Sequence, residues 1–350
     1  MRILLAAQRA DPVVLGLARM AQRAGHRVQI AALAASPDDP TVRARQGTPV
    51  SLWPEAWSDD VGREFTRWLQ AERFDVAHVF DGPLLAEMHS SLHETGLPVV
   101  ATLLDLAWAD AAPGAAVNAA SQRLSRAAER TVPSGHAARC MAAALPELGF
   151  RVLPHGIDLL AVAAASTVRR GDEPLTLGFC GPLGARSGAD LLLHAFTRVK
   201  RGDLRMIVRA VGPTDNGWRQ RCESMAAADS RIRFEDADAE GPSLIPMLGC
   251  IDLYCAPSLE AEAFARPVHE AACAGLHCLV SDIGAAAEAV HRYGCGQTVR
   301  TGDIAAWIDA IEQCQRGLPS TDRPVPVRIE EEAFWYEGLY RQAIFVKATT

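Results

Sequence analysis

Short apolar runs and longer amphipathic ones alternate from the first residues of the chain. Arg2–Ala7 (RILLAA) is apolar at five successive positions, as in a strand covered on both faces. Residues 13–24 place apolar side chains at helical spacing and stop at Gly25, a residue suited to the turn that ends helices. Further along, the spacing predicts strands at 27–33, 74–80 and 98–103 and helices at 60–72 and 83–95. The helix at 60–72 gathers Phe65, Trp68 and Leu69 on one face. A helix rich in small residues is expected at 111–129, and short strands at 131–132 and 151–153 bracket another helix. Strands that alternate with helices build a parallel, doubly wound sheet.

A second series of the same kind starts at 175–181 (LTLGFCG), with later strands at 204–208, 232–234, 253–256 and 278–281. Residues 160–173 between the two series, alanine-rich and then charged, read as a linker. Pro319, Pro324 and Pro326 make 318–328 a loop, and 330–346 is a last amphipathic helix bearing Phe334, Trp335, Leu339 and Tyr340. The expected organisation is a first α/β domain over 1–159, a linker over 160–173, a second α/β domain over 174–328 and a terminal helix over 329–350.

Bulk properties narrow the class. A chain of 350 residues has room for two domains. A net charge of −7 argues against a nucleic-acid binder. The nine cysteines are scattered without a C-x-x-C pair, so they read as reduced, buried thiols of a cytoplasmic protein, not as a disulfide framework or zinc site. No histidine spacing suggests a metal site. No apolar run reaches the roughly 18 residues of a membrane span, and the opening run turns polar at Gln8, too early for a signal peptide.

The chemistry concentrates after Pro257. Glu262 and Glu270 stand eight positions apart, separated by Ala263, Phe264, Ala265, Arg266 and Pro267 and the start of a helical run that ends at Gly275. An apolar strand follows at 278–280. In such a strand–loop–helix–strand unit the loop presents backbone N–H groups at a helix N-terminus, which attracts anions such as phosphate. Glu262 would sit in the loop, and Glu270 in the first turns of the helix, able to accept bonds from sugar hydroxyls. The two carboxylates can also be read as the acid/base pair of a glycoside hydrolase, since sequence spacing does not fix their separation; the doubly wound pattern favours a nucleotide.

This stretch, P-S-L-E-A-E-A-F-A-R-P-V-H-E-A, resembles the E-x7-E segment of retaining glycosyltransferases of the GT-B fold, family 4, which reads roughly P-S-x-x-E-G-F-G-x-P-x-x-E-A. Glu262, Phe264, Pro267, Glu270 and Ala271 match, while both glycines are alanine here, Ala263 and Ala265. Weaker likenesses run through most of the chain: Gly25-His26-Arg27-Val28, Asp75-Val76-Ala77-His78, Pro98-Val99-Val100-Ala101-Thr102 and Pro154-His155-Gly156-Ile157-Asp158. Glu288 resembles the glutamate of a G-G-x-x-E segment and reads as a helix cap.

The resemblance implies two Rossmann-like domains whose strand ends face one cleft, with the terminal helix crossing back to the first domain. It implies transfer of a sugar, with retention, from a nucleotide-diphosphate donor to a small-molecule, lipid or glycan acceptor, without metal or other cofactor. It gives Glu270 the ribose hydroxyls, Glu262 and the N–H groups of Ala263, Phe264 and Ala265 the sugar and phosphate, and Phe234 and Glu235 the neighbourhood of the base. His155 borders the cleft. The family supplies an arginine and a lysine in G-R-L-x-x-x-K-G; here Gly181 is followed by Pro182, and Ser187 replaces the lysine, leaving Arg186 and Arg266 as candidate cations. The family's donor-sugar histidine is Leu104, beside Asp105, which could contact a hydroxyl. The glycine-rich first loop is replaced by residues 8–12, where Arg9 would face the acceptor side. These losses support an alternative: a catalytically impaired GT-B homologue that binds a nucleotide or a partner protein as a regulatory subunit.

Overall fold

The computed structural model describes residues 1–8, 12–34, 47–54, 56–80, 82–104, 106, 121–166, 174–211, 216–236, 243–314 and 325–349. The chain divides into two compact units, Met1–Gly156 with Val327–Thr350, and Ile157–Pro326.

The first unit is built on a seven-stranded sheet: β1 (Arg2–Ala7), β2 (Arg27–Ala34), β3 (Val50–Pro54), β4 (Val76–Phe80), β5 (Val99–Thr102), β6 (Glu129–Val132) and β7 (Arg151–Val152). All pairings are parallel, in the order β3-β2-β1-β4-β5-β6-β7. Helices α1 (Pro12–Arg23), α2 (Asp59–Glu72), α3 (Gly82–Thr95) and α4 (Gly135–Ala144) connect the strands. Ile3, Leu4 and Leu5 of β1 are fully buried, as an apolar run in a covered parallel strand requires. Sequence reasoning missed β3. It is an edge strand of mostly half-buried residues ending in a proline, so it lacks the apolar run of a central strand. Trp53 secures it, meeting Phe65 of α2 edge-on at 4.9 Å. Of the helix expected at 111–129, residues 121–125 are helical and Glu129 already belongs to β6; 111–120 lie outside the described residues.

The second unit runs α5 (Leu159–Ala165), β8 (Leu175–Gly181), α6 (Ala189–Phe196), β9 (Leu204–Ala210), α7 (Asn216–Ala227), β10 (Ile232–Asp236), β11 (Leu253–Ala256), α8 (Arg266–Cys273), β12 (His277–Ser281), α9 (Gly284–Tyr293), β13 (Gly296–Val299) and α10 (Ile304–Gln313). Its six parallel strands lie in the order β10-β9-β8-β11-β12-β13, so the winding reverses between β8 and β11. One core holds Leu177, Phe179, Phe196 and Trp307, and the other Cys180, Ile207, Met247, Val268 and Tyr293.

Two expectations are corrected here. The expected linker begins as helix α5: Asp158 caps it by accepting from the Ala161 N–H at 3.0 Å, and Val162 packs into the second core. Alanine favours helix, and a capping aspartate before an alanine run is a start signal. Residues 167–173 lie outside the described residues. Glu288 does not stand at a cap position; it lies inside α9, whose N-cap is Ile283.

The last helix, α11 (Ile329–Thr349), packs on α1, β4 and β5 of the first unit. Ile329, Glu332, Tyr336, Leu339, Tyr340 and Ala343 form its buried stripe, while Phe334 is exposed. One set of its polar contacts is fully buried. His78 joins the Tyr340 hydroxyl at 2.7 Å and Thr102 Oγ1 at 2.6 Å. The Tyr336 hydroxyl meets Thr102 and Thr131 at 3.1 and 3.2 Å. Glu332 binds His155 Nδ1 and accepts from the Gly156 N–H, both at 2.8 Å. Gly156 is required there, because a Cβ would lie 2.4 Å from the Ile329 Cα.

Candidate active site

Three loops of the second unit meet outside the carboxyl ends of β8, β11 and β12, at the point where the winding reverses. Open α/β sheets bind ligands at that position. The Leu259 N–H donates to the Arg186 carbonyl at 2.8 Å, which ties the loop after β11 to the loop after β8. Gly188 permits this approach with a left-handed φ of 66°; a Cβ there would lie 2.0 Å from the Pro257 oxygen. The loop after β12 joins through the Ala285 N–H, 3.1 Å from the Glu262 carbonyl.

Glu270 lies on the second turn of α8 and is fully buried. Its carboxylate is surrounded by donors. Oε1 receives Arg266 Nε at 2.9 Å, and Oε2 receives the Leu244 N–H at 2.6 Å. The Ser243 hydroxyl stands 3.2 and 3.3 Å from the two oxygens. Burial pushes the Glu270 pKa up, opposed by the Arg266 charge and the Leu244 N–H. The Cys180 thiol donates to the Ser243 carbonyl at 3.2 Å. Its pKa is pushed up to about 12, mostly by burial and then by the Glu270 charge. This cluster is a buried carboxylate kept oriented by a cation and a backbone N–H.

The loop before α8 presents main-chain donors. Ala263 and Ala265 are buried, yet among the described residues no acceptor takes the N–H of Glu262, Ala263 or Ala265. Buried N–H groups are nearly always bonded, which makes those of Ala263 and Ala265 candidate donors to a ligand. Phe264 stacks on His269 at 4.3 Å, and His269 in turn meets the Tyr293 hydroxyl at 3.2 Å. Glu262 is exposed, and its carboxylate accepts from Ser258 at 3.0 Å. Desolvation by the surrounding protein pushes its pKa up, partly opposed by the Ser258 hydrogen bond and the Arg186 charge.

Other expected residues fall elsewhere. Arg266 is not in the loop but is the first residue of α8. Arg186 is 80% exposed with Glu260 at 3.3 Å, so its charge faces solvent. Gly181 ends β8 and its carbonyl accepts from the Val211 N–H at 3.0 Å. On β10, Phe234 packs beside the first of the two cores, and Glu235 lies 2.7 Å from Arg233 and 3.9 Å from Arg209. His155 belongs to the first unit, is 1% exposed and meets Glu332 Oε1 at 2.8 Å. The wide motif around it serves the close passage of Gly156 against α11. Leu104 is half-buried against the first unit's core. Arg9 and Asp105 lie outside the described residues.

Sequence reasoning missed Ser243, Leu244 and Arg209. Nothing local marks the first two, which reach Glu270 across 27 and 26 residues. Arg209 was detectable as a lone charge in the apolar strand LRMIVRA. Arg209 Nε and Arg266 Nη1 are both buried with no acceptor among the described residues. Among the described residues no group of His, Cys, Asp or Glu could hold a metal ion, and no helix is long and apolar enough to cross a membrane.

Known proteins share this architecture. The family model described as Glycosyltransferase Family 4 matches residues 11–159, and that described as Glycosyl transferases group 1 matches 174–316. A phosphatidyl-myo-inositol mannosyltransferase of Mycobacterium leprae is 26% identical over 85% of this chain and 81% of its own length. Among solved structures, the HepE protein of Anabaena in complex with UDP and glucose superposes with a TM-score of 0.73 at 16% identity, over the whole of both chains. A glycosyltransferase of Rickettsia africae superposes with a TM-score of 0.74 at 14% identity, covering 98% of this chain and 93% of its own. With matches to both halves and two parallel, doubly wound sheets, the chain belongs to glycosyltransferase family 4 and has the GT-B fold.

Proposed function

We propose that the chain transfers a sugar from a nucleoside diphosphate sugar to an acceptor, with retention of configuration and without a metal. The observation that carries this reading is the buried, oriented Glu270 carboxylate beside a loop in which the N–H groups of Ala263 and Ala265 have no acceptor among the described residues. A carboxylate held by Arg266 and Leu244 is a fixed acceptor for the ribose diol. Negative charge that develops on a departing diphosphate would meet the N–H groups of Ala263 and Ala265 and the N-terminus of α8. Glu262 would contact the sugar, and Phe234 and Glu235 would lie toward the base. The acceptor, a small molecule, lipid or glycan, would bind on the side of the first unit, toward Arg9. The reading includes a cytoplasmic location. The HepE structure with UDP-glucose makes the uridine series the first probe.

Isothermal titration with UDP, GDP, ADP and their common sugar conjugates tests this. Saturable binding of one nucleotide series is expected, weakened at least tenfold in Glu270→Ala. No binding to any series would remove the donor reading. A second reading rests on Pro182 and Ser187 in place of the family's cations, and on Arg186 facing solvent with Glu260. There the chain binds a nucleotide or a partner transferase without turnover. Tight binding with no hydrolysis or transfer on any acceptor would favour it; transfer abolished by Glu270→Ala would end it.

A further inference from the structure

The loop after β8 carries no cation aimed inward, so the neutralisation of a diphosphate must come from elsewhere. Two half-buried arginines of this unit, Arg209 and Arg266, each hold one buried nitrogen without an acceptor among the described residues. Arg209 is partly answered by Glu235 at 3.9 Å on the β10 side. Arg266 is the first residue of α8, where the positive end of the helix and the unengaged N–H groups of Ala263 and Ala265 lie. Its side chain is 11% exposed. Nε is committed to Glu270, while Nη1 is buried and has no acceptor among the described residues. A buried charged N–H without a partner is costly, a cost that a bound anion would remove.

We infer that Arg266 acts on both parts of a bound nucleoside diphosphate: Nε fixes Glu270 for the ribose, and Nη1 donates to a diphosphate oxygen in place of the cations lost at Pro182 and Ser187. This rests on the nucleotide-sugar reading above. The planar fork of arginine suits the task, because one guanidinium can hold a carboxylate along one edge and an anion along another. Nη1 is shielded in the structure. The bonds of the Ser243 hydroxyl, at 3.2 and 3.3 Å the longest at Glu270, are the ones a ribose hydroxyl would displace. Arg266 is thus a binding residue that also positions Glu270.

The test compares a diphosphate with its own nucleoside. The diphosphate among UDP, GDP and ADP that the wild-type chain binds best is titrated into wild type, R266Q, R266K and E270Q, and the matching nucleoside is measured by competition. R266Q is expected to weaken the diphosphate roughly 10- to 100-fold and the nucleoside by no more than about threefold. E270Q should weaken both alike. R266K, which keeps the charge and loses the fork, should fall between wild type and R266Q on the diphosphate. An equal loss on diphosphate and nucleoside in R266Q would mean that Arg266 acts only through Glu270, and unchanged diphosphate affinity would mean that Nη1 meets no phosphate; either overturns the inference while the donor reading stands. A wild-type chain that binds none of the three overturns both. Should R266Q fail to melt cooperatively, R266K carries the same comparison, with a loss confined to the diphosphate expected and an equal loss overturning it.

Discussion

Ser243 is the replaceable member of the Glu270 site. Arg266 Nε and the Leu244 N–H approach Glu270 at 2.9 and 2.6 Å, whereas the serine hydroxyl is shared between both oxygens at 3.2 and 3.3 Å. Charge-assisted bonds at the shorter distances dominate, and a long, shared one adds little. Ser243→Ala is therefore expected to leave the melting temperature within a few degrees of wild type. It should tighten nucleotide binding by about two- to threefold, because a ribose hydroxyl no longer displaces a competitor. Titration beside a melting curve checks both, and a large loss of affinity would show that the hydroxyl itself touches the ligand. The contrast with Arg186 is instructive at this scale. Arg186, one position before the family's lysine, keeps 80% of its side chain in water, where its charge is screened.

At the level of elements, much of the plan was legible. Unbroken apolar runs marked β1, β8 and β12 because central parallel strands are covered on both faces. Edge strands escape that signal: β3 and β13 are short and half-buried, and neither was anticipated. The E-x7-E spacing located α8 and Glu270, yet the partners of Glu270 come from a distant turn that no local pattern announces. A further tertiary clamp was equally invisible. Arg231, between α7 and β10, donates to the carbonyls of Phe196, Val199 and Arg201 past the end of α6, stacks over the Phe196 ring at 4.8 Å and pairs with Asp229. Arg231→Ala is expected to cost about 2–3 kcal/mol, because several buried carbonyls and a carboxylate lose their donor together. Urea denaturation measures it, and a change under about 0.5 kcal/mol, typical of a surface position, would contradict it.

On the scale of the whole molecule, stability should depend on pH through the docking of α11. Burial holds the His78 imidazole well below its ordinary 6.5, with the nearby His155 adding to the effect. The unfolded chain takes up this proton below about pH 6.5 and the folded chain does not. The contribution is therefore complete above that pH and is lost as the pH falls toward the depressed folded value, by at most about 1.4 kcal/mol per unit. His78→Gln should melt lower at pH 7.5 and lose less than wild type on going to pH 5. Parallel curves for the two proteins would place the pH dependence elsewhere.

The stripe of α11 that closes the first unit is written after the second unit in the gene's order of reading. A ribosome releases Met1–Gly156 with the side of β4 and β5 that α11 covers still bare, and with His155 and Gly156 lacking their carboxylate. The whole of the second unit must be synthesised before that cover exists, a delay of roughly 10–30 s at cellular rates. The first half of the chain is thus the last to mature, and a premature stop that spares every residue around Glu270 would still leave half of the protein for chaperones and proteases.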